Sequence, residues 1–172
     1  VKGTYLKDDM IAWIGFLRAH ATVVRYLERE MMEKEQLPLQ WYEVLGWLKG
    51  APQRKLRMQE LAEQVMLSHS GLTRLLDRMV QAGLVRRASC EEDRRGVYAL
   101  LTSKGLLSYQ QAEPTFLRGV REYFLSRLGA DDIKALQIAF LKILRGDASE
   151  ILGTRVKQQE QVAEDSFQKA NS

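Results

Sequence analysis

Residues 66–83 read MLSHSGLTRLLDRMVQAG, and their spacing decides the fold. Leu72, Leu75, Leu76, Met79 and Val80 recur every three or four residues, which lines them along one face of a helix and commits that face to a core. Ser68 stands where an N-cap belongs, its hydroxyl able to accept from an amide of the first turn. Gly83 stands at the other end, where a chain leaving a helix needs a positive φ that glycine adopts cheaply. The pattern predicts a helix over about 69–82. Its opposite face carries Ser70, Gly71, Thr73, Arg74, Asp77, Arg78 and Gln81. Just upstream, Leu61, Ala62 and Val65 predict a short helix over 57–65, and Met66-Leu67-Ser68 leaves room only for a tight turn. Two short helices joined this way form a helix–turn–helix unit.

Beyond Gly83 the period changes. Residues 84–88 and 97–101 are short strand-like runs on either side of a polar stretch from Cys90 to Gly96, the pattern of a β-hairpin with a charged tip. Thr102 or Ser103 then caps a helix reaching to about Leu128, with a kink or short break expected near Glu113 because Pro114 removes a donor. Gly129 ends it. Asp131 starts another helix with Ile133, Leu136, Phe140, Ile143 and Leu144 in one stripe, closed by Gly146. On the N-terminal side, Asp8 or Asp9 caps one long helix ending before Pro38, and a second follows over 39–48 with Trp41, Val44, Leu45 and Leu48 facing inward. The first helix carries an apolar face widened by Ile11, Phe16 and Val23, more than a solitary surface helix tolerates, so a second chain is expected to bury part of it. The reading is mostly α with a small β-hairpin.

Composition narrows the chemistry. The 172 residues are 45% hydrophobic and 28% charged, enough for a real core and too apolar for wholesale disorder. No apolar run approaches the roughly 18 residues of a membrane span, no cleavable leader opens the sequence, and the single cysteine, Cys90, cannot form an internal disulfide, so a cytoplasmic protein is expected. His20, His69 and Cys90 are too few and too scattered for a zinc site, and no other metal or cofactor is expected. There is no phosphate-cradling glycine loop and no evident nucleophile–base pair, so no enzyme is expected.

The formal net charge of +4 lies in one block: between Gln53 and Gly105 ten basic residues face six acidic ones, and the remainder balances. Excess arginine confined to one module is the footprint of a polyanion-binding surface, with a solvated basic face as the bland alternative. The layout of the 69–82 helix favours the first. Small residues let its N-terminal end approach base edges, serine and threonine reach bases or phosphates, and arginine pairs in bidentate fashion with guanine. An exposed helix carrying Arg74–Asp77–Arg78 ion pairs is the competing reading. The hairpin tip adds Asp93, Arg94 and Arg95, a carboxylate that orients one guanidinium while another enters the minor groove.

Taken together, residues 57–62, 67–79, 82–87, 93–96 and 101–105 resemble the MarR family of bacterial transcriptional regulators, with motifs over roughly half the chain and a matching helix order over about residues 5–146. The resemblance implies a winged helix-turn-helix DNA-binding domain at 38–102, a helical dimerisation region from 1–37 and 103–146, and a polar C-terminal tail at 147–172 longer than the family's common end. It implies a cytoplasmic homodimer, a repressor placing one recognition helix per subunit in successive major grooves of a palindromic operator, with half-site centres about 10 bp apart or a multiple. The DNA-contacting positions would be Ser68, Ser70, Thr73, Arg74 and Arg78, with Arg94 or Arg95 at the wing tip supported by Asp93, and Arg57 on a phosphate.

Family members are commonly released from DNA by small aromatic, often anionic, molecules. Trp13 and His20 on one side of the first helix, Arg18 as a carboxylate partner, and Trp41 and Tyr42 on the second would form such an effector site, although tryptophans at helical spacing are usually core. Two alternatives stay open. Winged helices also dock onto proteins, and Cys90 beside the wing could make the regulator redox-responsive. Relatives that sense peroxide usually carry the reactive cysteine in the first helix, and here Glu91, Glu92 and Asp93 would oppose a low thiol pKa.

Overall fold

The computed structural model describes residues 7–89 and 97–144. The first helix, α1, runs over Lys7–Glu35, so Asp8 and Asp9 lie within it rather than capping it. Helix α2 follows over Leu39–Gly50, strand β1 over Lys55–Arg57, α3 over Met58–Gln64 and α4 over His69–Gln81. Strands β2 (Val85–Ser89) and β3 (Val97–Leu101) lead into α5 (Ser103–Tyr123), a 3-10 turn at Leu125–Arg127 and α6 (Ala130–Leu144). The chain divides into two compact units, residues 1–127 and 128–172.

In the first unit the core is built where the apolar faces of α2, α3 and α4 meet the sheet. Val44, Leu45, Leu48, Leu61, Leu72, Leu76 and Met79 are all fully buried. Val80 departs from the expected stripe and is exposed, because it follows Met79 by a 100° turn that carries it past the edge of the core face. In α2 it is Tyr42, with Leu39, that is buried, while Trp41 is only half-buried. The Tyr42 ring stacks on Tyr109 of α5, centroids 4.6 Å apart, and meets Phe116 at the same distance. The sheet has three antiparallel strands in the order β1-β3-β2, with Leu56 opposite Ala99 and Arg87 opposite Ala99 from the other side. Strand β1 is absent from the sequence reading. Three residues carry no periodicity, and pairing to β3 makes it a strand.

Helices α3 and α4 end in the same device. The N–H of Leu84 bonds to Met79 O and that of Gly83 to Val80 O, closing α4 with Gly83 at φ 75°. The N–H of Leu67 bonds to Ala62 O and that of Met66 to Glu63 O, but there the left-handed residue is Met66 at φ 52°. Met66 is 91% exposed, so its side chain packs against almost nothing that would offset the backbone cost. Met66→Gly is expected to raise unfolding stability by about 1 kcal/mol, read as a higher urea midpoint. An unchanged or lower midpoint would show that this turn is not held left-handed.

Thr102 caps α5, its hydroxyl accepting from the Gly105 N–H at 2.9 Å. The helix is continuous through Pro114, without the short break that was one of the two expected outcomes, and it ends at Tyr123 rather than near Leu128, giving way to the 3-10 turn at Leu125–Arg127. Pro114 and Gln110 are both exposed, so the carbonyl that loses its intrahelical donor can turn to water. Along the seam between α1 and α5, Tyr26 stacks on Tyr123 at 4.7 Å, and the buried Glu30 accepts from Tyr123 Oη at 3.3 Å and Arg118 at 3.4 Å while pairing with Lys34. The Lys34 hydrogen bond above all holds the Glu30 carboxyl below the ordinary value of 4.5, against desolvation that would raise it. A depressed carboxylate stabilises the fold above its unfolded pKa and loses that contribution as pH falls through the folded value. Glu30→Gln is therefore expected to cost about 1 kcal/mol at pH 7 and less at pH 3.5, by urea unfolding at both. An equal loss at both pH values would contradict the ionic origin.

In the second unit α6 begins at Ala130, one residue before the expected start, with the Gly129 N–H donating to the Asp132 carboxylate at 2.9 Å. The expected stop at Gly146 and the 147–172 tail lie outside the described residues.

Candidate nucleic-acid interface

Four buried residues, Leu72, Leu75, Leu76 and Met79, fix which side of α4 is left to solvent. At its start the Ser68 hydroxyl accepts from the Gly71 N–H at 3.1 Å and lies 3.3 Å from the Ser70 hydroxyl. Gly71 is small for a reason: a Cβ there would come to 3.1 Å from Ser68 Oγ and press on the cap. One turn on, the hydroxyl of the half-buried Thr73 donates to His69 O at 2.9 Å. Ser70, Arg74 and Arg78 are exposed, and neither arginine has an ion-pair partner among the described residues.

Asp77 is the one acid on this helix, and its partner is neither Arg74 nor Arg78. Arg87, reaching from β2, places Nη1 2.8 Å from the Asp77 carboxylate and donates through Nη2 to Thr73 O at 3.1 Å. Sequence spacing within α4 could not find this pair, since its partner lies across a turn and on a strand. Arg57 is likewise engaged. It precedes α3 as the N-cap residue, its N–H donating to the Glu60 carboxylate at 3.0 Å, and its Nε reaches 3.4 Å from Tyr98 Oη on β3. Arg86 is exposed on β2, and Lys104 donates to Ala82 O at 2.8 Å, tying α5 to the end of α4.

The structure therefore leaves Ser68, Ser70, Arg74 and Arg78 exposed, with Thr73 half-buried and Arg57 against the sheet. Asp93, Arg94, Arg95 and Cys90 lie outside the described residues. The proposed effector residues divide. Trp13, Arg18 and His20 are exposed along α1, with Phe16 6.1 Å from Trp13 and 6.3 Å from His20, whereas Tyr42 is a core residue inside its aromatic stack. Among the described residues there is no cluster of His, Cys, Asp and Glu that could hold a metal ion, and no helix is long and apolar enough to cross a membrane.

A sequence model described as MarR family matches residues 35–96, from the end of α1 to the residue before β3. The crystal structure of AbsC, a MarR family transcriptional regulator from Streptomyces coelicolor, superposes with a TM-score of 0.75 at 32% identity over 87% of this chain and 97% of that one. A second MarR family regulator from the same organism, solved in complex with DNA, gives a TM-score of 0.76 at 28% identity over 87% of this chain and 91% of that one. The organic hydroperoxide resistance transcriptional regulator of Bacillus subtilis is 35% identical over 91 residues, which are 52% of this chain and 58% of that protein. The chain spans about three-fifths of the length of the curated relatives it matches, 58%, 62% and 59% for three of them.

Proposed function

Because the chain belongs to the MarR family of transcriptional regulators, which are not enzymes, we propose that it is a sequence-specific DNA-binding repressor acting as a homodimer on a palindromic operator. The observation that carries this reading is the exposed face of α4. Two arginines without ion-pair partners among the described residues stand beside the hydroxyls of Ser68, Ser70 and Thr73, and the only acid of the helix is neutralised by Arg87. Ser68, Ser70, Thr73, Arg74 and Arg78 enter the major groove, Arg57 contacts a phosphate, and Arg94 or Arg95, oriented by Asp93, reaches the minor groove. A likeness at 28% identity to a regulator solved on DNA supports the same docking.

Dimerisation is supported by α1, where Ile11 and Ile14 are 60% and 46% exposed, an apolar surface that a second copy would cover. Release from DNA by a small aromatic anion would use Trp13 and His20 for stacking and Arg18 for the carboxylate. Calorimetry with phenolic acids should show binding that weakens in Trp13→Ala.

Selection from a random DNA pool is the decisive experiment, with a palindromic site as its expected product and half-sites centred about 10 bp apart or a multiple of that. Affinity for that site should fall steeply with salt, with a log–log slope of about −0.9 per phosphate contact. A shallow slope and no selected sequence would instead favour a winged-helix module that docks onto proteins.

A further inference from the structure

We propose that Arg87 is a specificity-determining positioning residue. It locks the recognition helix to strand β2 and silences Asp77, and it does not itself hold DNA. This rests on the DNA-binding reading of α4.

The guanidinium makes two contacts one helical turn apart, to the Asp77 carboxylate at 2.8 Å and to the Thr73 carbonyl at 3.1 Å. Thr73 precedes Arg74, and Asp77 precedes Arg78. The fork therefore grips the turn that carries the exposed Arg74 and Arg78. A planar guanidinium held at two points resists rolling of the helix in a way that a single point charge does not. Base reading needs that constraint, because bidentate pairing tolerates errors of only about 0.5 Å and 10–20°.

The second consequence is electrostatic. Asp77 is the only acid in α4, and its side chain is 50% exposed. Left unpaired, it would stand within a Debye length, about 10 Å, of the phosphates and repel them. Arg87 cancels that charge. The pair is surface-exposed, so it is worth little as stability, and its value lies in orientation.

The test measures binding of the wild type, Arg87→Met, Arg87→Lys, Asp77→Asn and the Arg87→Met/Asp77→Asn double variant. Each is titrated with the selected operator duplex and with a random-sequence duplex at several salt concentrations. Arg87→Met and Asp77→Asn should each lower the operator-to-random affinity ratio about fivefold, and the double variant should lower it no further. Asp77→Asn should meanwhile bind the random duplex more tightly than the wild type, since a repelling charge is gone. Arg87→Lys should recover random-duplex affinity but not the ratio, because an ammonium keeps the charge and loses the fork. A ratio within twofold of wild type in both single variants overturns the proposal. So does an Arg87→Met protein that loses equally on both duplexes with a salt slope shallower by about 0.9, the mark of a direct phosphate contact. A wild type that selects no sequence overturns the DNA-binding reading itself, and this proposal with it.

Discussion

Replacing Arg74 by alanine is expected to cost about 1–3 kcal/mol of discrimination between operator and random DNA, roughly 5- to 150-fold in affinity ratio. Arg74 is exposed, lies one residue from the gripped Thr73 carbonyl, and has no ion-pair partner among the described residues. Its guanidinium is thus available for a guanine edge with no ion pair among the described residues to break. Alanine is the best helix former, so α4 itself should stand, and the Tm should move little. The loss should fall on the operator and largely spare the random duplex. Competition binding against both duplexes reads this directly. A variant that still prefers the same operator removes Arg74 from the base-reading set, and an equal loss on both duplexes reassigns it to a phosphate.

The largest effect on stability is expected at Gly105. A Cβ built there would lie 2.0 Å from the Leu84 carbonyl oxygen and 2.9 Å from the Leu101 side chain, so Gly105→Ala cannot be absorbed by a rotamer change. Nor is the Leu84 carbonyl free to retreat. It accepts from the Thr102 hydroxyl at 3.0 Å and from the Thr102 N–H at 3.2 Å, the contacts that join the end of α4 to the start of α5. The Thr102 hydroxyl also accepts from the Gly105 N–H, so moving any one of the three disturbs the cap. The expected cost is about 3 kcal/mol, a fall in Tm on the order of 10 °C. DNA affinity should fall with it, because Val85 and the rest of β2 begin immediately after Leu84. A Gly105→Ala protein melting within about 2 °C of wild type would mean that α5 does not approach this carbonyl so closely.

The α4 stripe, the Ser68 cap, the Gly83 exit and the Thr102 cap were all legible as residue types at fixed spacing. Each depends on groups within about one turn of chain, and local chemistry of that range is written linearly. The exposed face of α4 was legible for the same reason, by subtraction from its buried stripe. The pairing of β1 with β3 was not, because Lys55, Leu56 and Arg57 alternate too briefly to signal a strand. Tyr42 was not either: in the sequence it resembles a ligand-stacking aromatic, and only the arrival of Tyr109 and Phe116 from α5 turns it into core. At Pro114 the local rule predicts a kink or a short break, and the break does not occur because the exposed position lets the Gln110 carbonyl turn to water.

Local order was therefore set largely by the sequence alone: the order of the helices, the Ser68 and Thr102 caps, the buried stripe of α4, and the basic excess in one module. The tertiary structure alone decided which charges are spent and which remain available. Arg87 and Asp77 stand ten positions apart on different elements, and nothing in their linear spacing brings them to 2.8 Å. Packing β2 beside α4 does, and in doing so it leaves Arg74 and Arg78 exposed and without an ion-pair partner among the described residues.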